Sequence, residues 1–289
     1  MVRDLSELRR EIDAIDDQLH ALLKSRTKIV EEVRLFKKDD RVKIRPAREA
    51  EIIYRLFAQH EGKFPKRELF RIWRELIVAT LGMEGPFSVG VYMDADTGGE
   101  FSGFWDLARD HFGSFTPMAP FPSTRRIMEA VQKQEVTVGI LPLPGRDEVD
   151  PWWRRMAFEG DDVPRVIARL PFVGGGNARP AGHEALVISP VPQEPTGRDR
   201  TYVVLESKVE LVTNLLDRIL HDAGLSSVFS THCHDPNRPA VWQALVELDD
   251  YAAPDDERIR RLTETSDGVV QHAVTVGGYA TPLSAEELE

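Results

Sequence analysis

The sequence has one cysteine, Cys233, and therefore no internal disulfide. It has no hydrophobic run approaching a membrane span, because charge or proline breaks each apolar stretch within a few residues. Met1 is followed by nothing that resembles the apolar core of a signal peptide, so a cytoplasmic location without membrane attachment is expected. Positive charge is in deficit, with 37 Lys and Arg against 48 Asp and Glu and a formal net charge of -11, which argues against a nucleic-acid partner. A metal centre is not expected either. His232 and His234 would face one side of a strand and Cys233 the other, and no second cluster completes four ligands. The Gly174-Gly175-Gly176-Asn177 run leads to Pro180 rather than into a helix, so it reads as a loop and not as a phosphate cradle.

What is present is concentrated at the start of the chain. Residues 1–85 hold 19 Lys and Arg against 16 Asp and Glu, a net of +3, which leaves 18 against 32, a net of -14, for the rest. The N-terminal part is the better home for an anionic ligand. Leu8, Ile12, Ile15, Leu19, Leu22, Ile29 and Val33 repeat at three-and-four spacing, and Arg26 interrupts this apolar stripe. A guanidinium cannot be neutralised, so on a packing face it calls for an anion beside it. Lys37, eleven residues on, returns to within roughly 20° of the same face at about 16 Å along the axis. Between the two long side chains there is room for a small carboxylate-bearing molecule. Arg9 lies about 25 Å before Arg26 and roughly 100° around the axis, so a second copy of the chain would have to bring it to the same ligand. Asp16, Asp17, Glu31 and Glu32 read as a solvated face.

The pattern predicts a multidomain chain. Residues 1–85 read as an all-α three-helix domain: a helix from Asp4 to about Lys38, a second from Pro46 to about His60, and a third from Pro65 to about Met83. The first helix is too long for its two companions to cover, which points to an intertwined dimer. Residues 86–198 read as an α/β region, with strands at Phe87 to Met93 and Val136 to Leu141 and helices at Trp105 to Phe112 and Thr124 to Gln134. Trp152-Trp153-Arg154-Arg155 read either as a contact surface or as an aromatic cover for its small core. Residues 199–289 read as an α+β, ferredoxin-like unit of order β-α-β-β-α-β, with strands at Tyr202 to Leu205, Ser227 to Thr231, Ala240 to Leu248 and Val269 to Val276 and helices at Lys208 to Ala223 and Asp255 to Thr265.

The first 85 residues resemble the all-helical class of chorismate mutase. The resemblance is carried by Leu8-Arg9, Leu22-Leu23 with Arg26, Val33 with Lys37, Arg48-Glu49, and the run Trp73-Arg74-Glu75-Leu76-Ile77 leading to Thr80 and Glu84. It implies an isomerase that rearranges chorismate to prephenate in aromatic amino acid biosynthesis, with no cofactor and no covalent intermediate, by holding a compact conformer and stabilising charge at the ether oxygen. It also implies the roles. Arg26 and a partner subunit's Arg9 clamp carboxylates, and Lys37 serves a carboxylate and the ether oxygen. Glu49 accepts a hydrogen bond from the ring hydroxyl, Arg48 orients the site, Thr80 stands where serine is common, and Glu84 stands opposite Lys37. Glutamine is frequent at the position of Glu84, and a glutamate donates a hydrogen bond only when protonated, so activity is expected to fall as pH rises. Arg45 departs from the acidic residue usual near the hydroxyl-binding end.

The remainder resembles, more faintly, a prephenate dehydratase lobe followed by an ACT domain, through Val138-Gly139-Ile140-Leu141-Pro142, Arg200-Thr201-Tyr202 and Gly278-Tyr279. Its motifs are eroded. Asp199-Arg200-Thr201-Tyr202 stands where Thr-Arg-Phe is expected, Met93-Asp94-Ala95-Asp96 replaces a glycine-rich opening, and too little chain separates Leu141 from Tyr202 for a second lobe. Val209-Glu210-Leu211-Val212 and Thr231-His232-Cys233-His234 likewise replace expected ACT motifs. The resulting expectation is a dimeric chorismate mutase without dehydratase activity, whose ACT-like part is a candidate site for an aromatic amino acid effector. The alternatives are a bifunctional mutase and dehydratase, an isochorismate pyruvate lyase, and a catalytically silent regulator of an aromatic-pathway enzyme.

Overall fold

The computed structural model describes residues 4–36, 42–93, 103–146, 148, 150–158, 160, 162–174, 182–234, 238 and 240–288. The chain starts with three helices, α1 (Leu5–Phe36), α2 (Pro46–Gln59) and α3 (Lys66–Glu84). Pro46 occupies the first turn of α2, where its missing N–H costs nothing, and Pro65 precedes the first turn of α3. Helix α1 has 32 residues, so it is about 48 Å long, and none of them is buried. Its stripe residues Ile12, Ile15, Leu19, Leu22, Ile29 and Val33 are between 40% and 66% exposed.

Helices α2 and α3 behave differently. Ala50, Ile53 and Phe57 of α2 and Phe70 of α3 form one cluster with Phe172, Val173 and Leu283, and Ile77 and Leu81 of α3 join the core around Phe104, Leu107 and Phe112. These two helices are thereby fastened to the rest of the molecule. Polar ties reinforce the junction, since Glu75 accepts from the backbone N–H and hydroxyl of Ser114 at 3.1 and 3.0 Å.

The remaining elements are β1 (Val89–Tyr92), α4 (Gly103–Phe112), β2 (Met118–Phe121), α5 (Thr124–Gln132), β3 (Val138–Pro142), β4 (Arg165–Leu170), β5 (Ala185–Ser189), β6 (Asp199–Ser207), α6 (Thr213–Asp222), β7 (Ser227–His234), β8 (Trp242–Leu248), α7 (Glu257–Glu264) and β9 (Val270–Ala280). They form one nine-stranded mixed sheet of order β2-β1-β3-β5-β4-β9-β6-β8-β7. Strands β2, β1 and β3 are parallel, and β5 runs antiparallel to both β3 and β4. The last four strands in that order, all antiparallel pairs, carry α6 and α7 in the β-α-β-β-α-β arrangement expected for residues 199–289.

The two parts of the sheet join where β4 runs parallel to β9, at Val166 opposite Gly277. Gly277 has φ +95°, and a Cβ there would lie 2.3 Å from the Val166 carbonyl oxygen, so the junction requires glycine. Three strands were not among those expected: β2, β4 and β5. Each is short, and β5 is buried along its whole length, so no polar alternation announces it. Trp152 and Trp153 sit in a 3-10 turn and are 3% and 1% exposed, covering the core beneath α5, as expected of an aromatic cover. Among the described residues, no helix is long and apolar enough to cross a membrane, and no group of three or more His, Cys, Asp or Glu side chains is placed to hold a metal ion. His232 pairs with Glu210 at 2.8 Å instead.

Candidate active site

The helical segment offers its cations from two directions. On α1, Arg26 is half-buried and Arg9 is exposed. Because α1 is unbroken, the two stay about 25 Å apart within one chain. Lys37 lies outside the described residues, and so does most of the run from Gly174 to Asn177. On α2, the Arg48 side chain is 62% exposed and donates from Nη1 to Glu51 at 3.0 Å. On α3, Thr80 turns its hydroxyl back to its own helix, toward the carbonyls of Ile77 at 2.7 Å and Leu76 at 3.2 Å. Glu84, one turn on, is half-buried at the end of the helix.

Glu49 is placed differently from its neighbour Arg48. Consecutive helical residues differ by about 100° in direction, and here that rotation separates solvent from core. Glu49 is buried, and its Oε2 accepts from Nη1 of Arg74 at 2.6 Å. Arg74 is buried as well, and its Nε donates to the backbone carbonyl of His111 in α4 at 2.7 Å. The Phe112 ring lies under the guanidinium, 6.0 Å from its centroid. Two polar atoms in this cluster, Arg74 Nη2 and His111 Nδ1, are buried with no hydrogen-bond partner among the described residues. Burial, with the Arg74 charge adding, holds the His111 imidazole well below its ordinary pKa, so it is neutral. The cavity beside these groups measures about 20 Å³ and is lined by Glu49, Arg74, His111, Phe70 and Phe172. That is room for a water molecule and not for a ten-carbon diacid. Removing one partner of such a pair costs about 3–5 kcal/mol, because the other charge is left buried.

Within one chain, then, the structure brings Glu49 to Arg74 and not to Arg26. In the sequence Arg74 stands within the Trp73-Arg74-Glu75-Leu76-Ile77 run, and helical periodicity alone places it on the Phe70, Ile77 and Leu81 face of α3, where a charge needs a partner.

A second cluster was not foreseen as a site. A cleft of about 740 Å³ opens where β4, β6 and β9 meet, lined by Arg169, Tyr202, Glu247 and Tyr279. Glu247 accepts from the hydroxyls of Tyr202, at 3.0 Å, and Tyr279, and Arg169 lies 3.6 Å from it. Burial and the Glu247 charge push both phenols up from their ordinary pKa, so they remain protonated donors. Arg169 also pairs with Glu184 at 3.0 Å. Every charge in this cluster has a partner inside it, which makes it a closed network joining the two halves of the sheet.

The family model of chorismate mutase type II matches residues 8–85. The bifunctional chorismate mutase/prephenate dehydratase of Aquifex aeolicus (strain VF5) is 29% identical over 147 residues, covering 49% of this chain and 39% of that protein. The protein of the same name from Stutzerimonas stutzeri is 27% identical over 150 residues, covering 50% of this chain and 40% of its own length. The chain thus spans about two fifths of the length of these curated relatives. The aligned stretches are longer than the 8–85 segment, so the likeness runs past it. Among solved structures, prephenate dehydratase from Streptococcus mutans is similar over 68% of this chain and 98% of that chain, at 12% identity and a TM-score of 0.45. The three helices at the start of the chain make up the segment, residues 8–85, that matches the chorismate mutase type II model.

Proposed function

We propose that the protein is a chorismate mutase acting as a dimer. The observation that carries this reading is the family match over residues 8–85 with Arg9, Arg26, Lys37 and Arg48 all in their expected places in the sequence. The uncovered apolar stripe of α1 supports the dimer, since a second α1 would cover it and carry its own Arg9 toward Arg26. In this reading Arg26 and the partner subunit's Arg9 hold the two carboxylates of chorismate, and Arg48 and Lys37 complete the positive wall. Lys37 and Glu84 face the ether oxygen, where negative charge grows as the carbon–oxygen bond breaks and the new carbon–carbon bond forms. Thr80 lies one turn from Glu84 on the same face of α3. The protein supplies geometry and charge and forms no bond to the substrate, so neither a cofactor nor a nucleophile is required.

The C-terminal β-α-β-β-α-β unit is ACT-like in this reading and is a candidate site for an aromatic amino acid effector; calorimetric titration of the full chain with phenylalanine tests that, with heat expected and its absence counting against it. A cytoplasmic location fits a biosynthetic mutase. Dehydratase activity is left out of the reading because the stretch from Leu141 to Tyr202 is too short for a complete second lobe, and β6 opens with the altered Asp199-Arg200-Thr201-Tyr202. The bifunctional alternative is favoured by one observation, that the aligned stretch extends beyond residue 85. Incubation of the purified chain with chorismate decides for the mutase if prephenate forms and the Arg26→Ala variant forms none. Phenylpyruvate appearing from prephenate would establish the second activity, and salicylate from isochorismate would replace the mutase by a lyase.

A further inference from the structure

Three side chains on one face of α3 reach α4 and the turn that follows it. Arg71 pairs with Asp110 at 3.5 Å, Arg74 donates from Nε to the His111 carbonyl at 2.7 Å, and Glu75 accepts from the Ser114 backbone N–H at 3.1 Å. Arg74 also reaches across to α2, where its Nη1 meets Oε2 of Glu49 at 2.6 Å. One guanidinium therefore joins three helices, and it does so inside the protein, with the two side chains 3% and 10% exposed. We propose that Arg74 is a positioning residue of the mutase, which through Glu49 fixes α2 against α3 and α4 and so sets the spacing between Arg48 and the Thr80–Glu84 end of α3, and that Glu49 binds no substrate in this chain. This deepens the mutase reading and rests on it.

Resemblance gives Glu49 the ring hydroxyl of the substrate, but the geometry leaves it no such contact. Its carboxylate is taken by Arg74, and Phe112 lies under the guanidinium. Phe70 and Phe172, stacked at 6.1 Å, line the space beside the pair, which is too small for a substrate ring. A charge so enclosed is tolerated only with its partner, so each side chain fixes where the other must be. That constraint is passed along the helices, because an α-helix is stiff over a few turns. Arg48 is the residue before Glu49, about 100° around α2, so the rotation that buries Glu49 also sets the direction of Arg48. Thr80 and Glu84 follow Arg74 by about 9 and 15 Å along α3. An error at the pair is thus inherited by three residues of the proposed site, and a misplacement of about 1 Å there is enough to lower turnover about a hundredfold.

The test is a double-mutant cycle in the full chain, read as kcat/KM for chorismate at a temperature where circular dichroism shows each protein folded. Arg74→Met and Glu49→Leu each leave one buried charge alone, and each should lower kcat/KM by about tenfold to a hundredfold. The double variant replaces both charges by apolar groups of similar volume and should return to within about threefold of the wild type. A double variant that stays below that range would overturn the proposal, because the carboxylate itself would then be needed. Single variants that remain folded with wild-type turnover would overturn it too, since the pair would then serve stability alone. Should the single variants fail to fold, the double variant against the wild type still decides. Should all three fail, Glu49→Gln takes their place, because its amide oxygen keeps an acceptor for Arg74. The ratio of kcat/KM for chorismate to that for an analogue lacking the ring hydroxyl should then stay within about threefold of the wild-type ratio, and a larger fall would show that Glu49 meets the hydroxyl. No prephenate from the wild type removes the mutase reading itself, whereas wild-type turnover without recovery in the double variant removes the positioning role alone.

Discussion

Helix α1 and the pair α2–α3 fall within one family-model match and lie within 85 residues of each other, yet they meet opposite fates in a single chain. The apolar side chains of α2 and α3 are covered by Phe172, Val173, Leu283 and the core around α4, while α1 has no buried residue at all. The contrast lies in how many partners each face has. Fully burying an apolar side chain is worth about 1.5–3 kcal/mol, so covering the exposed half of the six stripe residues would contribute roughly 5–9 kcal/mol per chain toward an association that itself costs about 4–15 kcal/mol. Within the single chain the stripe of α1 stays open to solvent, whereas the apolar faces of α2 and α3 are covered by their own chain.

The largest effect that sharpens this contrast is chemical. Arg26→Ala should lower prephenate formation by about a hundredfold to a thousandfold, as loss of a charge-stabilising contact does, with the circular dichroism spectrum unchanged. Retained turnover would mean that α1 contributes no substrate contact. Next, Leu19→Lys on α1 should convert a dimer to monomers in sedimentation while leaving the melting of the C-terminal sheet intact. Leu205→Ala, at a fully buried position of β6, should instead cost about 2–5 kcal/mol in denaturant unfolding. If Leu19→Lys changed neither mass nor activity, the stripe would not be an interface.

A smaller effect concerns Glu84, whose carboxyl donates a hydrogen bond only when protonated: the activity of the wild type should decline as pH rises, and Glu84→Gln should flatten the profile. Identical profiles would take Glu84 out of the site. The smallest effect lies at the C-terminal end. Arg198 holds the Glu287 carboxylate down to about 2, with Nη1 to Oε1 at 2.7 Å, and the guanidinium stacks on Tyr54 of α2 at 4.8 Å. A depressed carboxylate stabilises the fold above its unfolded pKa and loses that contribution as pH falls toward its folded value. The pair is over a third exposed, so Glu287→Gln should cost no more than about 1 kcal/mol at pH 7 and nothing near pH 2, measured by urea unfolding at both.

Much of the architecture is legible in the sequence. The helices carried either a long three-and-four stripe or a proline at the entry, and the final β-α-β-β-α-β unit alternated clear strands with amphipathic helices. Strands β4 and β5 were not readable. Arg165–Leu170 mixes two arginines into an apolar run, and Ala185–Ser189 is too short and too uniformly apolar to show a period. The same limit applies to the candidate site. Arg26 stood out because it broke a stripe, which is a local signal. Glu49 and Arg74 are 25 residues apart, and nothing local says that they meet.

By itself the sequence determined where the helices run, that α1 carries a positive side chain on an apolar face, and that Arg9 and Arg26 of one chain cannot share a ligand, because helical rise and rotation follow from spacing alone. Only the tertiary structure decided which way Glu49 points and what holds it. The direction of a buried charge depends on the partner that offsets its desolvation, and that partner was brought to it by the packing of α3 and α4.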